Sequence, residues 1–257
     1  MALLEVENLS ISFGGLKAVE DVSFELYEHE ILGLIGPNGA GKSTVFNLLT
    51  SVYQPTRGEV ILHGKSIIGN KTWQTANLGM VRTFQNIRLF RSLSVLDNVR
   101  LGFHNQGKYG FLSTFTRSKS YWDEEHRYTE RAWELLRIFG MQEIATHQAS
   151  GLPYGVQRRL EICRALAASP RILLLDEPAA GMNPTETQAL MDLIHHIRDE
   201  FAVAIVLIEH DMNLVMQICE RVIVLDYGRI IKTGNPDDVR NDPGVIEAYL
   251  GPDYGDE

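Results

Sequence analysis

One stretch constrains this chain more than any other: Gly36-Pro37-Asn38-Gly39-Ala40-Gly41-Lys42-Ser43-Thr44. It matches a phosphate-binding loop in full, with Gly36 opening it and Gly41-Lys42-Ser43 closing it. Glycines give the backbone conformations closed to other residues, so successive N–H groups can turn inward toward phosphate oxygens. Lys42 supplies a compact positive charge for β- and γ-phosphates, and the Ser43 hydroxyl suits Mg²⁺. Ile31 to Ile35 before the loop read as a short buried strand. Thr44 to Leu49 after it read as a helix whose positive N-terminus faces the phosphates. Strand, loop and helix in that order are the context the motif requires.

The chain has 257 residues, enough for one domain with a subdomain and a substantial core. Its formal net charge of −9 speaks against a nucleic-acid surface as the main business. The longest apolar run, Phe201 to Ile208, falls far short of the roughly 20 residues that cross a bilayer. Met1-Ala2-Leu3-Leu4-Glu5 lacks a basic start and a cleavable apolar stretch, so no signal peptide is expected and a cytosolic chain is. Cys163 and Cys219 each sit in an apolar helical pattern and read as small buried hydrophobes in a reducing compartment.

Leu9, Ile11 and Phe13 alternate with polar residues, as do Val22, Phe24 and Leu26. Period two with a turn at Gly14-Gly15 predicts half-buried antiparallel strands. Phe13 has two readings at this point, a core aromatic or a ring that stacks on an adenine. Glu59 to Leu62 and Met80 to Phe84 read as strands, the second ending in Gln85. From Asn86 to about Leu152 strand signals vanish, and Val95 to Leu101 and Tyr121 to Phe139 have helical spacing. Within this insertion, Phe103 to Tyr121 is basic and aromatic, which fits a loop near a membrane partner or an ordinary solvated loop. Leu152-Pro153-Tyr154-Gly155 opens a further helix. Ile172-Leu173-Leu174-Leu175 is a continuous apolar strand, as in a sheet buried on both faces, and ends in Asp176-Glu177. Thr185 to Glu200 reads as a helix and Ala202 to Ile208 as a buried strand ending in Glu209-His210. Arg221 to Asp226 and Arg229 to Thr233 form a hairpin turned at Tyr227-Gly228, and Asn235-Pro236 starts a helical tail. Strands alternating with helices, with polar groups at strand C-termini, predict an α/β fold with a parallel sheet.

Coupled to the phosphate loop, these strand ends acquire a chemistry. A carboxylate at Asp176 suits Mg²⁺, usually through water. Glu177 beside it is placed to polarise a water for attack on a γ-phosphate. Gln85 is suited to bridge metal and water, and His210 to hydrogen-bond the γ-phosphate.

The order of phosphate loop, Gln85, Leu152-Pro153-Tyr154-Gly155, Leu173-Leu174-Leu175-Asp176-Glu177-Pro178 and His210 resembles an ABC ATPase across nearly the whole chain. The closer resemblance is to ATP-binding subunits of branched-chain amino acid importers. It rests on Val81-Arg82-Thr83-Phe84-Gln85, Arg88-Leu89-Phe90, Glu177-Pro178-Ala179-Ala180-Gly181-Met182-Asn183-Pro184, Ile208-Glu209-His210-Asp211-Met212 and Val245-Ile246-Glu247-Ala248-Tyr249-Leu250-Gly251. It implies the P-loop NTPase fold of that family, with a mainly parallel central sheet, an antiparallel β-subdomain and a helical subdomain. The expected division is a nucleotide-binding core at 1–85 and 165–235, a helical subdomain at 86–164 and a C-terminal helical tail at 236–257.

The resemblance also implies roles. Phe13 would stack on adenine, with Val19 lining the same cofactor site. Gly36 to Thr44 would hold the phosphates of ATP, and Ser43, Gln85 and Asp176 its Mg²⁺. Gln85 would sense the γ-phosphate and link to membrane permease subunits. Glu177 would be the catalytic base and His210 the switch histidine. Pro153, Tyr154, Gly155 and Val156 would form the signature that completes the ATP site of a second ATPase subunit. The chain would then work on the cytoplasmic face of the membrane, served indirectly by an external substrate-binding protein. The family's usual signature is Leu-Ser-Gly-Gly-Gln, whereas here Pro153, Tyr154 and Val156 replace Ser, the first Gly and Gln. Asn183 stands where the loop after the strand usually ends in Asp. Pro153 offers no hydroxyl to a γ-phosphate, so a heterodimer with unequal sites is expected. Urea and lipopolysaccharide transport ATPases share the layout and are the alternative within the class. A non-transport ABC protein is the alternative outside it, disfavoured by the single cassette and the lack of sustained heptads.

Overall fold

Three apolar stretches form the middle of the structure, each too hydrophobic to tolerate water on either side. They are β3 (Ile31–Ile35), β7 (Ile172–Asp176) and β8 (Ala204–Ile208), buried at every position. The computed structural model describes residues 2–103 and 119–250. A six-stranded sheet runs β10-β9-β3-β8-β7-β6, with β6 at Met80–Arg82, β9 at Arg221–Asp226 and β10 at Arg229–Gly234. Its pairs are parallel except β9 with β10, the hairpin at Tyr227-Gly228. A second sheet, ordered β2-β1-β4-β5, is antiparallel. It contains β1 (Leu4–Phe13), β2 (Leu16–Leu26), β4 (Arg57–Leu62) and β5 (Lys65–Ser66).

Alternation along the parallel strands divides their side chains between two cores. Leu32, Leu34, Ile172, Leu174, Val206 and Ile223 join the antiparallel sheet and helix α1 (Lys42–Leu49). Ile31, Ile35, Leu173, Leu175, Leu207 and Val224 face the helices on the other side. Those helices are α3 (Val95–Gly102), α4 (Lys119–Ile138), α5 (Tyr154–Ala167), α6 (Pro184–Phe201) and α7 (Met212–Ile218). The result is the expected layered α/β architecture, with a sheet covered on both faces. A tail of α8 (Pro236–Arg240) and α9 (Pro243–Leu250) closes the described chain.

Several elements differ from the sequence expectation. The strand expected over Met80 to Phe84 stops at Arg82, because Arg158 on α5 takes the carbonyls of Phe84 and Gln85. Helix α2 (Thr72–Asn77) was hidden because Thr75 is its one buried residue, leaving no apolar stripe. Helix α7 is only about two turns long and is capped by Asp211, whose carboxylate accepts from the backbone N–H groups of Asn213 and Leu214. Cys219 accordingly lies at a helix end rather than inside one, though it is buried as expected. Helix α5 runs through position 165, where the return from the helical segment to the core was expected. Phe103 is core, stacked on Tyr128 with centroids 5.5 Å apart. Residues 104–118 of the basic, aromatic stretch, including Lys108, Tyr109, Phe111, Phe115 and Arg117, lie outside the described residues, and its last three positions, from Lys119 to Tyr121, open α4.

Helices α3 and α5 approach so closely at Gly102 that a methyl group there would lie 2.4 Å from the Arg164 carbonyl oxygen and 2.6 Å from the Ala167 methyl. Gly102→Ala must therefore push the helices apart. We expect a destabilisation of about 1–3 kcal/mol by overpacking, read as a lowered thermal midpoint. Gly151→Ala, where nothing lies within 4 Å, is the matched control, and it should stay within about 0.5 kcal/mol of the parent. Equal midpoints for the two variants would contradict the close approach.

Candidate active site

The phosphate loop leaves β3 at Gly36, whose φ is +149° and where a methyl group would sit 2.0 Å from the Leu225 carbonyl oxygen. Only glycine passes there, so the strand can turn sharply beside β9. The loop closes at Gly41 in a left-handed conformation, φ 102°, as the N-cap of α1. The hairpin turn supports it from outside: Gly228 donates its N–H to the Ala40 carbonyl at 3.0 Å, and Glu20 donates to the Gly228 carbonyl at 2.8 Å. No acidic residue occupies the first turn of α1, so its positive end is not neutralised. The Lys42 ammonium, buried under the loop, donates to the carbonyls of Gly36 at 2.7 Å and Pro37 at 2.9 Å. Burial pulls its pKa below the ordinary value, and the Glu177 and Asp176 carboxylates pull it back up. Both acids are thus within electrostatic reach of Lys42. Asn38, Gly39 and Ser43 are exposed, Pro37 and Thr44 half-buried, and Ala40 buried.

At the same sheet edge, Asp176 ends β7 and is buried. Its Oδ2 accepts from Arg82 Nη2 at 2.6 Å, while Arg82 Nη1 donates to Asn47 Oδ1 on α1 at 2.6 Å. The Arg82 guanidinium also lies 5.4 Å from the ring centroids of Phe46 and Phe84. Arg82 lies in a segment that carries the family resemblance, but nothing local in the sequence says that a strand-end arginine points into a core.

Glu177 follows in a left-handed backbone conformation, φ 45°, rare for a side chain of its kind. Its N–H donates to the Ile208 carbonyl at 2.9 Å and its own carbonyl accepts from Arg158 at 3.1 Å. Its side-chain Oε2 accepts from Gln85 Nε2 at 2.8 Å. The structure thus joins two residues, 92 positions apart, that the sequence linked only by chemistry. His210 follows β8 with an exposed ring, its Nδ1 3.7 Å from Glu209 Oε2. Glu209 itself is buried, and it accepts from the Ala179 N–H at 2.9 Å. Burial pushes its carboxyl above the ordinary range, opposed by that hydrogen bond and by His210. Glu209 ties the His210 segment to the loop after β7, a connection the sequence did not disclose.

Phe13 is 45 % exposed at the end of β1, edge-on to Tyr53 with centroids 5.3 Å apart. It is therefore not a core residue, and its ring is open to stacking. Val19, by contrast, is fully buried, packed beneath the loop where a methyl at Gly41 would touch it at 3.6 Å. Its place is under the loop rather than on an open surface.

The segment from Pro153 to Val156 sits apart from these groups, at the start of α5. Pro153 is the N-cap, in an extended conformation, and its carbonyl accepts from Val156 and Gln157, each at 3.0 Å. Gly155 is buried against Glu186, and half-exposed Tyr154 lies over Gly181. Asn183 caps α6, accepting from the Glu186 N–H while Glu186 accepts from the Asn183 N–H, both at 3.0 Å. Asparagine does this as well as aspartate.

Comparison with known proteins agrees with this arrangement. A family model for ABC transporters matches residues 19–180, and one for the branched-chain amino acid ATP-binding cassette transporter matches residues 229–251. The high-affinity branched-chain amino acid transport ATP-binding protein LivG of Escherichia coli K12 is 48% identical over 249 residues, covering 97% of this chain and 98% of LivG. The ADP conformation of an ATP-binding cassette of an ABC transporter superposes with a TM-score of 0.84 at 27% identity, covering 98% of this chain and 99% of that one. A dimeric, post-hydrolysis ATP-binding cassette bound to ADP and phosphate superposes with a TM-score of 0.75 at 25% identity, covering 91% and 98%. The chain belongs to the ABC transporter family, as one of its ATP-binding cassettes.

Proposed function

We propose that this chain is the ATP-hydrolysing subunit of a branched-chain amino acid importer. It would sit on the cytoplasmic face of the membrane beneath separate permease subunits, which an external binding protein serves. The observation that carries the ATPase reading is the strand register that brings the phosphate loop, Asp176 and Glu177 to one sheet edge, where Gln85 bonds Glu177. The likeness to LivG along nearly the whole chain, with the C-terminal match, supports the substrate class. Among the described residues no helix is long and apolar enough to cross a membrane, so permeation falls to other subunits. We assign them a groove of about 910 Å³ beside Gln85, lined by Phe84, Arg88, Phe90, Leu101 and Arg164. Phe90 and Leu101 are exposed there, as on surfaces that bind partners.

In this reading the loop N–H groups, the α1 N-terminus and Lys42 hold the phosphates, and Phe13 stacks on the adenine, with Val19 bracing the loop from below. Glu177 accepts the proton of the attacking water, and the Gln85 amide keeps the carboxylate aimed. His210 contacts the γ-phosphate. The hydroxyl of Ser43, the amide oxygen of Gln85 and the carboxylate of Asp176 are hard oxygen donors that suit Mg²⁺, which would neutralise phosphate charge. The segment 86–164 serves as the helical arm on a core of 1–85 and 165–235, with 236–257 as a tail. Its signature, Pro153 to Val156, faces the ATP of a second cassette. Because Pro153 supplies no hydroxyl, a heterodimer is favoured, in which only one site lacks that bond.

Lys42→Ala should weaken ATP binding about a hundred-fold, from loss of a charge-assisted phosphate contact. Calorimetry reads this directly, and an unchanged affinity would put the nucleotide elsewhere. Glu177→Gln should keep ATP binding but slow phosphate release by about 10²- to 10⁴-fold, because an amide does not take the proton. ATP should then hold a closed dimer on gel filtration; wild-type turnover would remove Glu177 from its role. Pro153→Ser should raise turnover of the isolated chain about ten-fold at saturating ATP, by restoring one hydrogen bond to a charged group. No gain, with dimerisation confirmed, would mean that the hydroxyl is dispensable.

A further inference from the structure

Arg158 takes no part in the chemistry described above, yet among the described residues it is the largest fully buried side chain. A charge is placed there only if the fold satisfies it. Its Nη1 donates to the Phe84 carbonyl at 2.6 Å and to Glu161 Oε2 at 2.9 Å. Its Nη2 donates to the Gln85 carbonyl at 2.8 Å and to the Glu177 carbonyl at 3.1 Å. The other oxygen of Glu161 accepts from the Arg88 N–H at 3.0 Å. One ion pair on α5 therefore holds the backbone at residues 84, 85 and 88 on one side and at 177 on the other. Gln85 and Glu177 are also bonded through their side chains. The left-handed backbone at Glu177 is one of the points that this guanidinium holds in place.

The same helix begins at the signature. Pro153 is its N-cap, and the Arg158 position lies roughly 7.5 Å along the axis, at 1.5 Å per residue. No break separates the two. Its N-terminus is further held against α6 through Gly155 and Glu186. A rotation of α5 that moved the signature would have to carry Gln85 and Glu177 with it, or else leave Arg158 buried without its acceptors.

We propose that Arg158 is a positioning residue that locks this chain's signature to its own Gln85 and Glu177, so that the two ATP sites of a cassette pair change state together. The proposal rests on the roles given above to the signature and Glu177. Arginine suits the task because its planar fork reaches several fixed acceptors at once; lysine keeps the charge but not the fork.

The test uses the assembled transporter with one ATP site silenced at a time. Glu177→Gln in this chain leaves the site that this chain's signature completes. Replacing the partner cassette's catalytic carboxylate leaves the site built on this chain's own phosphate loop. Arg158→Lys is then added to each background, with turnover, ATP affinity and thermal midpoint measured. We expect turnover to fall about ten-fold at both sites, with ATP affinity within about two-fold of the parent. Loss at one site alone would reduce Arg158 to local support, and loss at neither would remove its role; either overturns the coupling. A matching loss of ATP affinity would mark general damage and overturn it too. If Arg158→Lys does not assemble, Glu161→Gln frees the same fork at its charged partner and carries the same two-site comparison. The proposed roles are checked separately: if Glu177→Gln alone leaves both sites turning over, those roles fail before Arg158 is judged.

Discussion

The register of three buried strands is the constraint on which the site depends. Leu34 pairs with Ile208, and Ile208 with Asp176, so β8 and β7 end level and β3 one residue further on, at Ile35. The next residues along each strand are the phosphate loop, Glu209 and Glu177. A slip of one residue in a parallel pair would turn each side chain to the opposite face. Because the two faces of this sheet pack into separate cores, such a slip would place Leu174 and Val206 in the wrong one. The requirement to fill both cores thus fixes the edge at which the polar groups meet. The alignment of these polar groups follows from packing in which their own side chains take no part.

The row of strand ends is rigid, but the groups that act on it come from elsewhere. Gln85 arrives by the loop after β6, and it reaches Glu177 only because α5 grips the carbonyls of Phe84 and Gln85. Arg82 arrives by β6 itself and connects Asp176 to Asn47 on α1. Glu209 holds the loop after β7 through the Ala179 N–H. Each of these charged or polar bridges spans two elements of distant sequence, and all but the exposed Gln85–Glu177 bond are at least partly buried. In such surroundings a bond left unmade costs more than the bond contributes when formed. The bridges therefore act as a test of assembly: the loops take their working positions together or not at all.

This division explains what was legible in the sequence. The phosphate loop, its flanking strand and helix, and the buried strands ending in Asp176-Glu177 and Glu209-His210 declare themselves locally. Their signals are a glycine spacing and unbroken apolar runs, which need no knowledge of the rest of the chain. The hairpin at Tyr227-Gly228 was equally plain. Arg82, Arg158 and Glu209 were not, because their meaning lies in burial, and a charged residue in a helix or at a strand end looks the same buried or exposed. Arg158 and its neighbour Arg159 are indistinguishable in the sequence, yet one is sealed in the core and the other lies partly in solvent. The early stop of β6 was hidden for the same reason, since the residue that ends it comes from α5.

The atypical signature is best understood from the helix end it occupies. The first N–H groups of a helix have no partner within it. At α5, Val156 and Gln157 turn back to the Pro153 carbonyl, and no hydrogen bond among the described residues takes the N–H of Tyr154 or Gly155. A serine at the N-cap would bring an oxygen that accepts from these first-turn groups as readily as it donates to a phosphate. Proline brings no such oxygen and sets the entry of the chain by its fixed φ, here −55°. The amide of Gln157 satisfies the Leu152 carbonyl just outside, at 2.8 Å, which steadies the entry from the other side. In the role proposed above, this end offers a neighbouring molecule the exposed Tyr154 and the positive pole of a helix of 14 residues, with Gly155 buried against Glu186 and no hydroxyl at position 153. In that role, such an end would attract phosphate chiefly through the field of the helix. Its strength then depends on how firmly the helix is aimed, and the aim is set by what grips α5 further along its length.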